Sequence, residues 1–317
     1  MMLTNQFSGK AVLVTGGTGF IGTHLCRRLM DCGASLHAVS RKYRPQLSEQ
    51  ITWWQADLSN IAAVRHVLRN AQPRIVFHLA SRVMGARELD AILPTFYDNL
   101  VSTVHLLTVA AELGCERMVL ASSSEEPNQL DSTTFACSPY AAAKCASSIY
   151  GRTFYRLFEL PVVMPRIFMT YGPDQKDQQK LVPFVVRHLL RGECPRLTSG
   201  RRKADWIYVD DVIEGLLRAA ITAGIEGSTF DLGTGSLVSV REIVEQIAQI
   251  VGSSTELLFG AIPDRPFEQE RAADTCFLSD MLGFQPAVSL KQGLEATVAW
   301  YRQVCDPASR PLAPAGA

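Results

Sequence analysis

A tyrosine and a lysine four residues apart, Tyr140 and Lys144 in SPYAAAK, are the pair in this sequence best suited to proton transfer. Residues at i and i+4 of a helix share one face, so the ammonium can stand near the phenol. We expect the cation to lower the phenol's pKa, which prepares Tyr140 to exchange a proton with a carbinol or a carbonyl oxygen. Three serines, Ser122, Ser123 and Ser124, follow the apolar run RMVLA. One of them is expected to hydrogen-bond the same substrate oxygen.

A glycine-rich loop joins the apolar run AVLVT to a helical segment. Its spacing is GxxGxxG, which lets a strand turn sharply and lets a pyrophosphate approach backbone N–H groups. The N-terminus of the following helix favours the anion. The segment predicts a nicotinamide dinucleotide site formed by Gly16, Thr18, Gly19, Phe20, Ile21 and Gly22.

The end of the second predicted strand, SLHAV, bears on the choice of cofactor. Proteins that bind NAD usually carry Asp or Glu about 20 residues after the loop, to hold the ribose 2′-hydroxyl. Here Ser40 and Arg41 follow the strand. A hydroxyl and a guanidinium suit a 2′-phosphate. We therefore expect NADP(H) rather than NAD(H).

These residues need a scaffold, and the first half of the chain predicts one. From residue 10 to about 165, continuous apolar runs alternate with amphipathic helical segments, including one helix from about Pro139 to Phe158. The pattern is typical of an α/β fold with a Rossmann-like, doubly wound parallel sheet. We expect this NADP-binding domain at 1–170, with about 203–225 returning to it. A smaller, interleaved C-terminal substrate-binding domain is expected at 171–202 and 226–303, before a flexible tail at 304–317.

Composition narrows the class of partner. The 31 basic and 31 acidic residues cancel, so the sequence has no overall charge that would attract nucleic acid or an anionic membrane. The 8 cysteines include no CxxC pair or Cys/His cluster at metal spacing, which favours reduced thiols and no bound metal. The first residues resemble no targeting signal, and no apolar run is long enough to span a bilayer. We expect a cytoplasmic protein that acts on a small molecule.

Further motifs make the sequence similar to a known family. TGGTGFIG, VFHLAS, YDNL, SPYAAAK, RIFMTYGP, WIYVDDV and LGFQPAVSL, within about residues 10–303, resemble extended short-chain dehydrogenases/reductases. More narrowly, they resemble the NAD-dependent epimerase/dehydratase family, whose members modify nucleotide sugars. The resemblance implies that Ser123 is the catalytic serine, with Ser124 as the alternative. It implies a homodimer formed through the helices near 94–113 and 139–157. It also implies cofactor contacts from Asp57, Leu58, Leu79, Ala80, Ser81, Asn99, Tyr140, Lys144 and Ile167.

The sequence departs from this family around the substrate. Ser123-Ser124-Glu125 replaces the Thr-Asp-Glu of the 4,6-dehydratases and is nearer to the Thr-Ser-Glu of UDP-glucuronate decarboxylases, so Glu125 is a candidate catalytic residue. Glu126-Pro127-Asn128 stands where Val-Tyr-Gly is usual. Met169 replaces an Asn, and Ala204 replaces an Arg that binds phosphate. Cationic groups that could still meet a diphosphate lie nearby. The candidate substrate contacts are Arg82, Ser124, Met169, Arg187, Arg202 and Arg265.

Cofactor type separates the reaction hypotheses. Epimerases and decarboxylases return the hydride to their own substrate, whereas net reductases draw on NADPH. Ser40 and Arg41 therefore favour an NADPH-dependent ketoreductase of a nucleotide-linked 4-keto-6-deoxy sugar, in deoxysugar biosynthesis, with Tyr140 as proton donor. The alternatives are a C4 epimerase of nucleotide sugars with a retained cofactor, a decarboxylase or dehydratase of the same family, and a non-catalytic nucleotide sensor. The sequence leaves the base, the sugar and the product stereochemistry open.

Overall fold

The computed structural model describes residues 4–42, 50–83, 85–127 and 135–305. Asn128 and residues 306–317 of the predicted tail lie outside these ranges. The strands are β1 (Ala11–Thr15), β2 (Ser35–Ser40), β3 (Ile51–Gln55), β4 (Ile75–His78), β5 (Arg117–Leu120), β6 (Ser122–Ser123), β7 (Val162–Ile167), β8 (Met169–Tyr171), β9 (Lys203–Tyr208), β10 (Thr229–Leu232) and β11 (Leu237–Ser239). The α-helices are α1 (Thr4–Phe7), α2 (Phe20–Asp31), α3 (Ile61–Ala71), α4 (Ile92–Thr95), α5 (Ser102–Leu113), α6 (Pro139–Phe158), α7 (Leu181–Leu190), α8 (Val209–Ile221), α9 (Val240–Val251), α10 (Cys276–Asp280) and α11 (Leu290–Cys305). A 3₁₀ turn (Leu89–Ala91) precedes α4, and a π-helical turn (Phe96–Val101) joins α4 to α5.

The main sheet has the order β10-β7-β5-β4-β1-β2-β3, with β6 beside β7, and every pairing in it is parallel. All of β4 and β5 is buried, because helices cover both faces of such a sheet. The predicted Rossmann-like, doubly wound sheet is confirmed.

The sheet order reverses direction between β1 and β4, where the chain leaves β1 in one direction and β4 in the other. In open α/β sheets, ligands bind at the carboxyl ends of the strands near such a switch point. The strand register places Thr15, His78 and Leu120 side by side at this edge. The loops that carry the predicted chemistry begin there.

Helix α6 begins and ends where the sequence predicts. The hydroxyl of Ser138 accepts a hydrogen bond from the N–H of Ala141, and Pro139 occupies the first turn, where its missing N–H costs nothing. The helix ends at Phe158, and the next residue, Glu159, adopts a left-handed conformation. Tyr140 and Lys144 lie in the first two turns, so the cap fixes the backbone that carries them.

The chain forms two compact units. The first comprises Met1–Phe168, Val212–Gly233 and Ala273–Gln285, and the second comprises Met169–Asp211, Thr234–Ala272 and Pro286–Ala317. We expected residues of about 203–225 to return to the first domain. The segment that belongs to the first unit is instead Val212–Gly233. Strand β9 pairs with β8 and β11 in a separate small sheet, so it groups with the second unit. Most of α8 and all of β10 belong to the first unit, where β10 extends the main sheet beside β7.

The second unit combines this small sheet with α7, α9 and α11, which pack against one another. Buried Asp205 accepts hydrogen bonds from the backbone N–H groups of Thr234 and Gly235, and buried Asp211 accepts from those of Ala287 and Val288. These carboxylates satisfy loop N–H groups within the unit.

Two sequence expectations concern whole classes of site. Among the described residues, no group of His, Cys, Asp or Glu side chains is arranged to hold a metal ion. No described helix combines the length and the apolar character that crossing a membrane requires. The cysteines described by the structure are free thiols: Cys26, Cys32, Cys115, Cys137, Cys145, Cys194 and Cys276.

Candidate active site

Tyr140 and Ser123 meet at the carboxyl edge of the main sheet. The Tyr140 side chain is buried in the first turn of α6, and an interaction with the Ser123 hydroxyl lowers the pKa of its phenol. The Ser123 Oγ accepts a hydrogen bond from the N–H of Glu125 at 3.2 Å, which leaves its own proton for an oxygen acceptor. Ser122 instead pairs with Ser148, and the N–H of Ser124 donates to the Ile167 carbonyl. Of the three serines, Ser123 is the one placed against Tyr140.

The pKa of Tyr140 differs from the sequence expectation. Burial raises it above its ordinary value, and nearby carboxylates of Glu125 and Glu126 add to the increase, while the Ser123 hydrogen bond lowers it in part. We expected Lys144 to lower this pKa. In the protein without cofactor the net change is an increase, because the loss of solvation of a buried phenolate outweighs the other effects, and no effect of Lys144 on this pKa is resolved.

Lys144 lies one turn beyond Tyr140, with its Nζ 5.9 Å from the centre of the Tyr140 ring. The Nζ donates a 2.7 Å hydrogen bond to the Ala121 carbonyl. Burial lowers the Lys144 pKa to about 8, and the Glu126 carboxylate opposes this shift. Burial and the Lys144 charge lower the pKa of His78 to about 3, so His78 is a neutral neighbour. Its ring nitrogens contact the hydroxyls of Thr15 and Thr103.

Glu125 is partly exposed beside the start of α6. Its Oε2 lies 3.5 Å from the Ser138 hydroxyl, the N-cap of that helix. Its charge raises the pKa of Tyr140, which places the two side chains in one electrostatic environment. The candidate catalytic residues Ser123, Glu125, Tyr140 and Lys144 therefore surround one end of α6.

The glycine loop lies at the same edge and needs its glycines for steric reasons. Gly16 has φ +74°, and a Cβ there would lie 2.7 Å from the N of Ala80, in the loop after β4. A Cβ on Gly22 would lie 2.1 Å from the Gly16 carbonyl oxygen. These glycines let α2, the loop and the segment after β4 approach one another closely.

The start of α2 suits an anion. Its N-cap is Gly19, and no side chain caps the first turn, so the helix N-terminus keeps N–H groups for a ligand. Thr18 lies in the loop, while Phe20 and Ile21 begin the helix. Ser81, in the segment Leu79–Arg82 after β4, has a buried hydroxyl that no described protein atom partners. An open helix terminus and an orphaned hydroxyl fit a dinucleotide at this edge.

The end of β2 shows a contact that sequence reasoning missed. Arg41 Nη1 lies 3.3 Å from both carboxylate oxygens of Asp98, although the Arg41 side chain is 64% exposed. Arg82 Nε donates to the same carboxylate at 2.7 Å. Asp98 directly precedes Asn99, a predicted cofactor residue, in YDNL. This neighbour in the sequence was the signal that could have placed Asp98 near the cofactor site. Ser40 lies at the strand end and accepts a hydrogen bond from the N–H of Lys42.

The remaining predicted cofactor residues of the first unit have defined positions. Asn99 is buried and exchanges hydrogen bonds with the backbone N–H and carbonyl of Arg82, so it fixes the segment after β4. Asp57 accepts hydrogen bonds from the N–H and hydroxyl of Ser59, which lower its pKa. Leu58 is buried beside it, and Ile167 ends β7 opposite Ser123.

The other predicted substrate residues belong to the second unit. Met169 begins β8 and pairs with Trp206 of β9, and Ala204 is buried in β9. Arg187 is half-buried on α7, and Arg265 is exposed. Arg202 forms an ion pair with Glu268 at 3.3 Å, a partner that the sequence did not indicate.

Comparisons with known proteins identify the family. The sequence pattern described as "NAD dependent epimerase/dehydratase family" matches residues 12–233. A UDP-glucose 4-epimerase from Mycolicibacterium smegmatis is 30% identical over 92% of this chain and 98% of its own.

Solved structures agree. A UDP-glucose 4-epimerase from Thermotoga maritima, crystallised with UDP-glucose, superposes with a TM-score of 0.84 at 25% identity, over 93% of this chain and 99% of its own. A UDP-glucose 4-epimerase from Thermus thermophilus, in complex with NAD, gives a TM-score of 0.81 at 27% identity, over 92% and 98%. With the glycine loop, the Tyr140–Lys144 pair and the doubly wound sheet in place, this chain belongs to the NAD-dependent epimerase/dehydratase family of extended short-chain dehydrogenases/reductases, enzymes of the oxidoreductase type that act on nucleotide sugars.

Proposed function

We propose that this protein is an NADPH-dependent ketoreductase of a nucleotide-linked 4-keto-6-deoxy sugar. The observation that carries the proposal is the contact of Tyr140 with Ser123, with Lys144 one turn away on α6. Two hydroxyls that converge from a helix and a loop can hold one carbonyl oxygen, and one of them can protonate it. Such a reduction converts the C4 ketone of a 6-deoxy sugar into a hydroxyl group.

The glycine loop, the N-terminus of α2 and Ser81 would hold the cofactor, which when bound would supply the hydride for reduction at C4 of the sugar. Tyr140 donates its proton to the C4 oxygen as the C–O double bond becomes a single bond. Ser123 donates a hydrogen bond to that oxygen and holds it in line with the phenol. Lys144 stabilises the tyrosinate that forms, and Tyr140 then regains a proton from solvent. The balance is ketone, NADPH and one proton to alcohol and NADP⁺.

The choice of NADP(H) rests on Ser40 and Arg41 at the end of β2, a strand that carries no carboxylate. The Arg41 guanidinium is mostly exposed and suits a 2′-phosphate. The phosphate would have to compete with the Asp98 carboxylate for Arg41. We expect Arg41→Asp to weaken NADPH binding by about tenfold or more, the value of one charge-assisted hydrogen bond, and NADH binding much less. Fluorescence titration with both nucleotides measures this.

The matched control for Arg41→Asp is Arg69→Asp, which makes the same change at an exposed position of α3. It should leave both affinities unchanged. Equal losses for NADPH and NADH in Arg41→Asp would contradict the assignment of Arg41 to the 2′-phosphate.

A C4 epimerase of nucleotide sugars is the second candidate. The UDP-glucose 4-epimerase of Mycolicibacterium smegmatis favours it, because its similarity extends over nearly the whole chain. The pairing of Arg41 with Asp98 also favours it, since a carboxylate near the adenosine ribose suits NAD. The same Tyr140, Ser123 and Lys144 would then remove and return the proton at the C4 oxygen, with the cofactor retained.

Nucleotide retention tests the two candidates. Freshly purified protein is denatured, any released nicotinamide nucleotide is identified, and cofactor-free protein is titrated with NADPH and NADH. A ketoreductase exchanges its cofactor at each cycle, so we expect little retained nucleotide and a preference for NADPH. Bound NAD(H) or NADP(H) near one per chain would overturn the ketoreductase in favour of the epimerase.

The substrate contacts are also a proposal. In the first unit, Ser124 and Arg82 are proposed to contact the sugar, together with Glu125. In the second unit, Arg187, Arg202, Arg265 and the Met169 side chain are proposed to bind the nucleotide and its diphosphate. Arg202 would then exchange its ion pair with Glu268 for a phosphate oxygen.

We also propose a homodimer. Apolar side chains are exposed on α4, on the π-helical turn and on α6, where a soluble monomer usually carries polar residues. They are Ile92, Leu93, Phe96, Tyr97, Ile149, Tyr150, Leu157 and Phe158. We expect light scattering to give twice the chain mass of 34.9 kDa, and a mass of one chain at micromolar concentration would contradict the dimer.

A further inference from the structure

Glu126 is a buried acidic residue that the proposed reaction does not use. Only 4% of its surface is exposed, although it lies in the loop that follows β6. A buried carboxylate without partners is costly, so its contacts show what it does. Its Oε1 accepts hydrogen bonds from the N–H of Ser123 at 3.2 Å and from the hydroxyl of Ser148 at 3.1 Å.

These contacts close the loop that carries the predicted catalytic serine. The N–H of Glu126 donates to the Ser123 carbonyl, while the Glu126 carboxylate accepts from the Ser123 N–H. Residues 123–126 therefore form a turn that is held by its backbone and by one side chain. With its N–H and carbonyl both engaged, the Ser123 backbone is held in place near Tyr140.

Helix α6 meets this turn with three side chains one turn apart. Tyr140, Lys144 and Ser148 occupy positions i, i+4 and i+8, so they share one face. Tyr140 contacts the Ser123 hydroxyl, Lys144 donates to the Ala121 carbonyl, and Ser148 donates to Glu126. The Ser148 hydroxyl also lies 2.6 Å from the Ser122 hydroxyl. These contacts hold the segment 121–126 against α6, the helix that carries Tyr140 and Lys144.

The charges around Lys144 give Glu126 a second role. His78 from β4 is neutral, Tyr140 is a protonated phenol, and Glu126 is the acidic group whose charge acts on Lys144. Burial raises the pKa of Glu126 itself, and the hydrogen bonds from Ser123 and Ser148 oppose this increase together with the charges of Lys144 and of Arg166 from β7. Cys145 is a protonated thiol. A buried ammonium beside a carboxylate keeps its proton more readily than one beside neutral groups.

We propose that Glu126 is a positioning residue of the active site, whose buried carboxylate fixes the Ser123 turn and keeps the Lys144 ammonium charged. This inference rests on the proposed function for the roles of Ser123 and Lys144. The fastened turn is a structural statement, and the effect of the Glu126 charge on Lys144 is an electrostatic one; both concern the protein without cofactor or substrate.

The test measures melting temperature against pH, with neither cofactor nor substrate present, for the wild type, Glu126→Gln and Ser148→Ala. The folded protein gives up the Lys144 proton near pH 8, whereas an ordinary lysine holds it to about pH 10.5. Between these values unfolding takes up a proton, so the Lys144 contribution to stability rises with pH. Without the Glu126 charge, this rise should begin at lower pH.

The wild type should therefore exceed Glu126→Gln by more at pH 6.5 than at pH 9.5. For a change of one unit in the Lys144 pKa, the two differences should differ by about 2–4 °C. Ser148→Ala removes a hydrogen bond and leaves the charge, so its difference from the wild type should depend on pH much less than that of Glu126→Gln. A pH-independent difference for Glu126→Gln would overturn the charge coupling.

A second variant covers the case in which Glu126→Gln does not fold. The double variant Glu126→Gln with Lys144→Met leaves no uncompensated ammonium, so it should fold where the single variant fails. If the double variant also fails to fold, the inference is overturned. Each outcome is independent of the proposed function, because failure of the reductase assay changes none of these melting temperatures.

Discussion

Tyr140→Phe is expected to reduce turnover by about 10²-fold or more and to leave nicotinamide nucleotide affinity within about twofold of the wild type. The phenol touches Ser123 through its hydroxyl, so the substitution removes the proton donor and keeps the buried ring. Lys144 keeps its bond to the Ala121 carbonyl, which leaves the cofactor edge intact. The measurement is kcat for the keto sugar, together with Kd for NADPH by fluorescence titration.

Tyr150→Phe is the matched control for this prediction, because Tyr150 lies on the same helix outside the site and the substitution keeps the apolar ring proposed for the dimer face. Its kcat should match that of the wild type. Full activity in Tyr140→Phe would remove Tyr140 from the mechanism. A loss confined to nucleotide affinity would assign Tyr140 to binding instead of proton transfer.

Gly16→Ala is expected to weaken nicotinamide nucleotide binding by about 10²-fold or more. The new Cβ would lie 2.7 Å from the Ala80 N and 2.8 Å from the Leu79 carbonyl carbon, and backbone atoms cannot move aside as a flexible side chain can. The residue also has φ +74°, which a non-glycine residue adopts at a cost of about 1 kcal/mol. Separation of the loop from the segment after β4 would displace the N–H groups proposed to hold the pyrophosphate.

Gly114→Ala is the control that separates the steric clash of the new Cβ from the cost of the positive φ. Gly114 ends α5 with φ +80°, and a Cβ there would meet no atom within 4 Å. The control therefore carries the backbone cost alone, and its nucleotide affinity should be that of the wild type. Isothermal calorimetry with NADPH and NADH measures both variants. Wild-type affinity in Gly16→Ala would contradict the placement of the dinucleotide at this loop.

The sequence predicted those parts of the site that depend on local pattern. Helix α6 could be predicted to the residue, since Ser138, Pro139 and the apolar spacing are all local signals. The glycine loop could be predicted because three constraints, a strand, a tight turn and a helix, fall within about a dozen residues. The same reasoning led to the parallel sheet.

Contacts between distant segments could not be predicted in this way. Asp98 meets Arg41 across 57 residues, and the position of Asp98 beside Asn99 indicates a place near the cofactor but not the contact with Arg41. Glu126 reads as an ordinary loop carboxylate until the fold buries it against Ser148. The raised pKa of Tyr140 has the same origin, because burial depends on packing and not on the spacing of Tyr140 and Lys144.

The division into units was the hardest part to predict. Strand β9 has the apolar character of a core strand, KADWIY, but it pairs in the small sheet. Strand β10 has four residues, too few for a periodic signal, and yet it extends the main sheet. Pairing partners are chosen by tertiary context, which a short run of residues does not encode.

Transfer of a hydride to the sugar is the central claim, and isotope labelling tests it most directly. The protein is incubated with NADPH deuterated at the nicotinamide C4 and with a nucleotide-linked 4-keto-6-deoxy sugar, and the product is analysed by mass spectrometry and NMR. We predict one deuterium at C4 of the sugar per NADPH consumed, with stereospecific use of one cofactor face. No label at C4, with NADPH unconsumed and a nucleotide sugar epimerised by cofactor that stays bound, would contradict the ketoreductase.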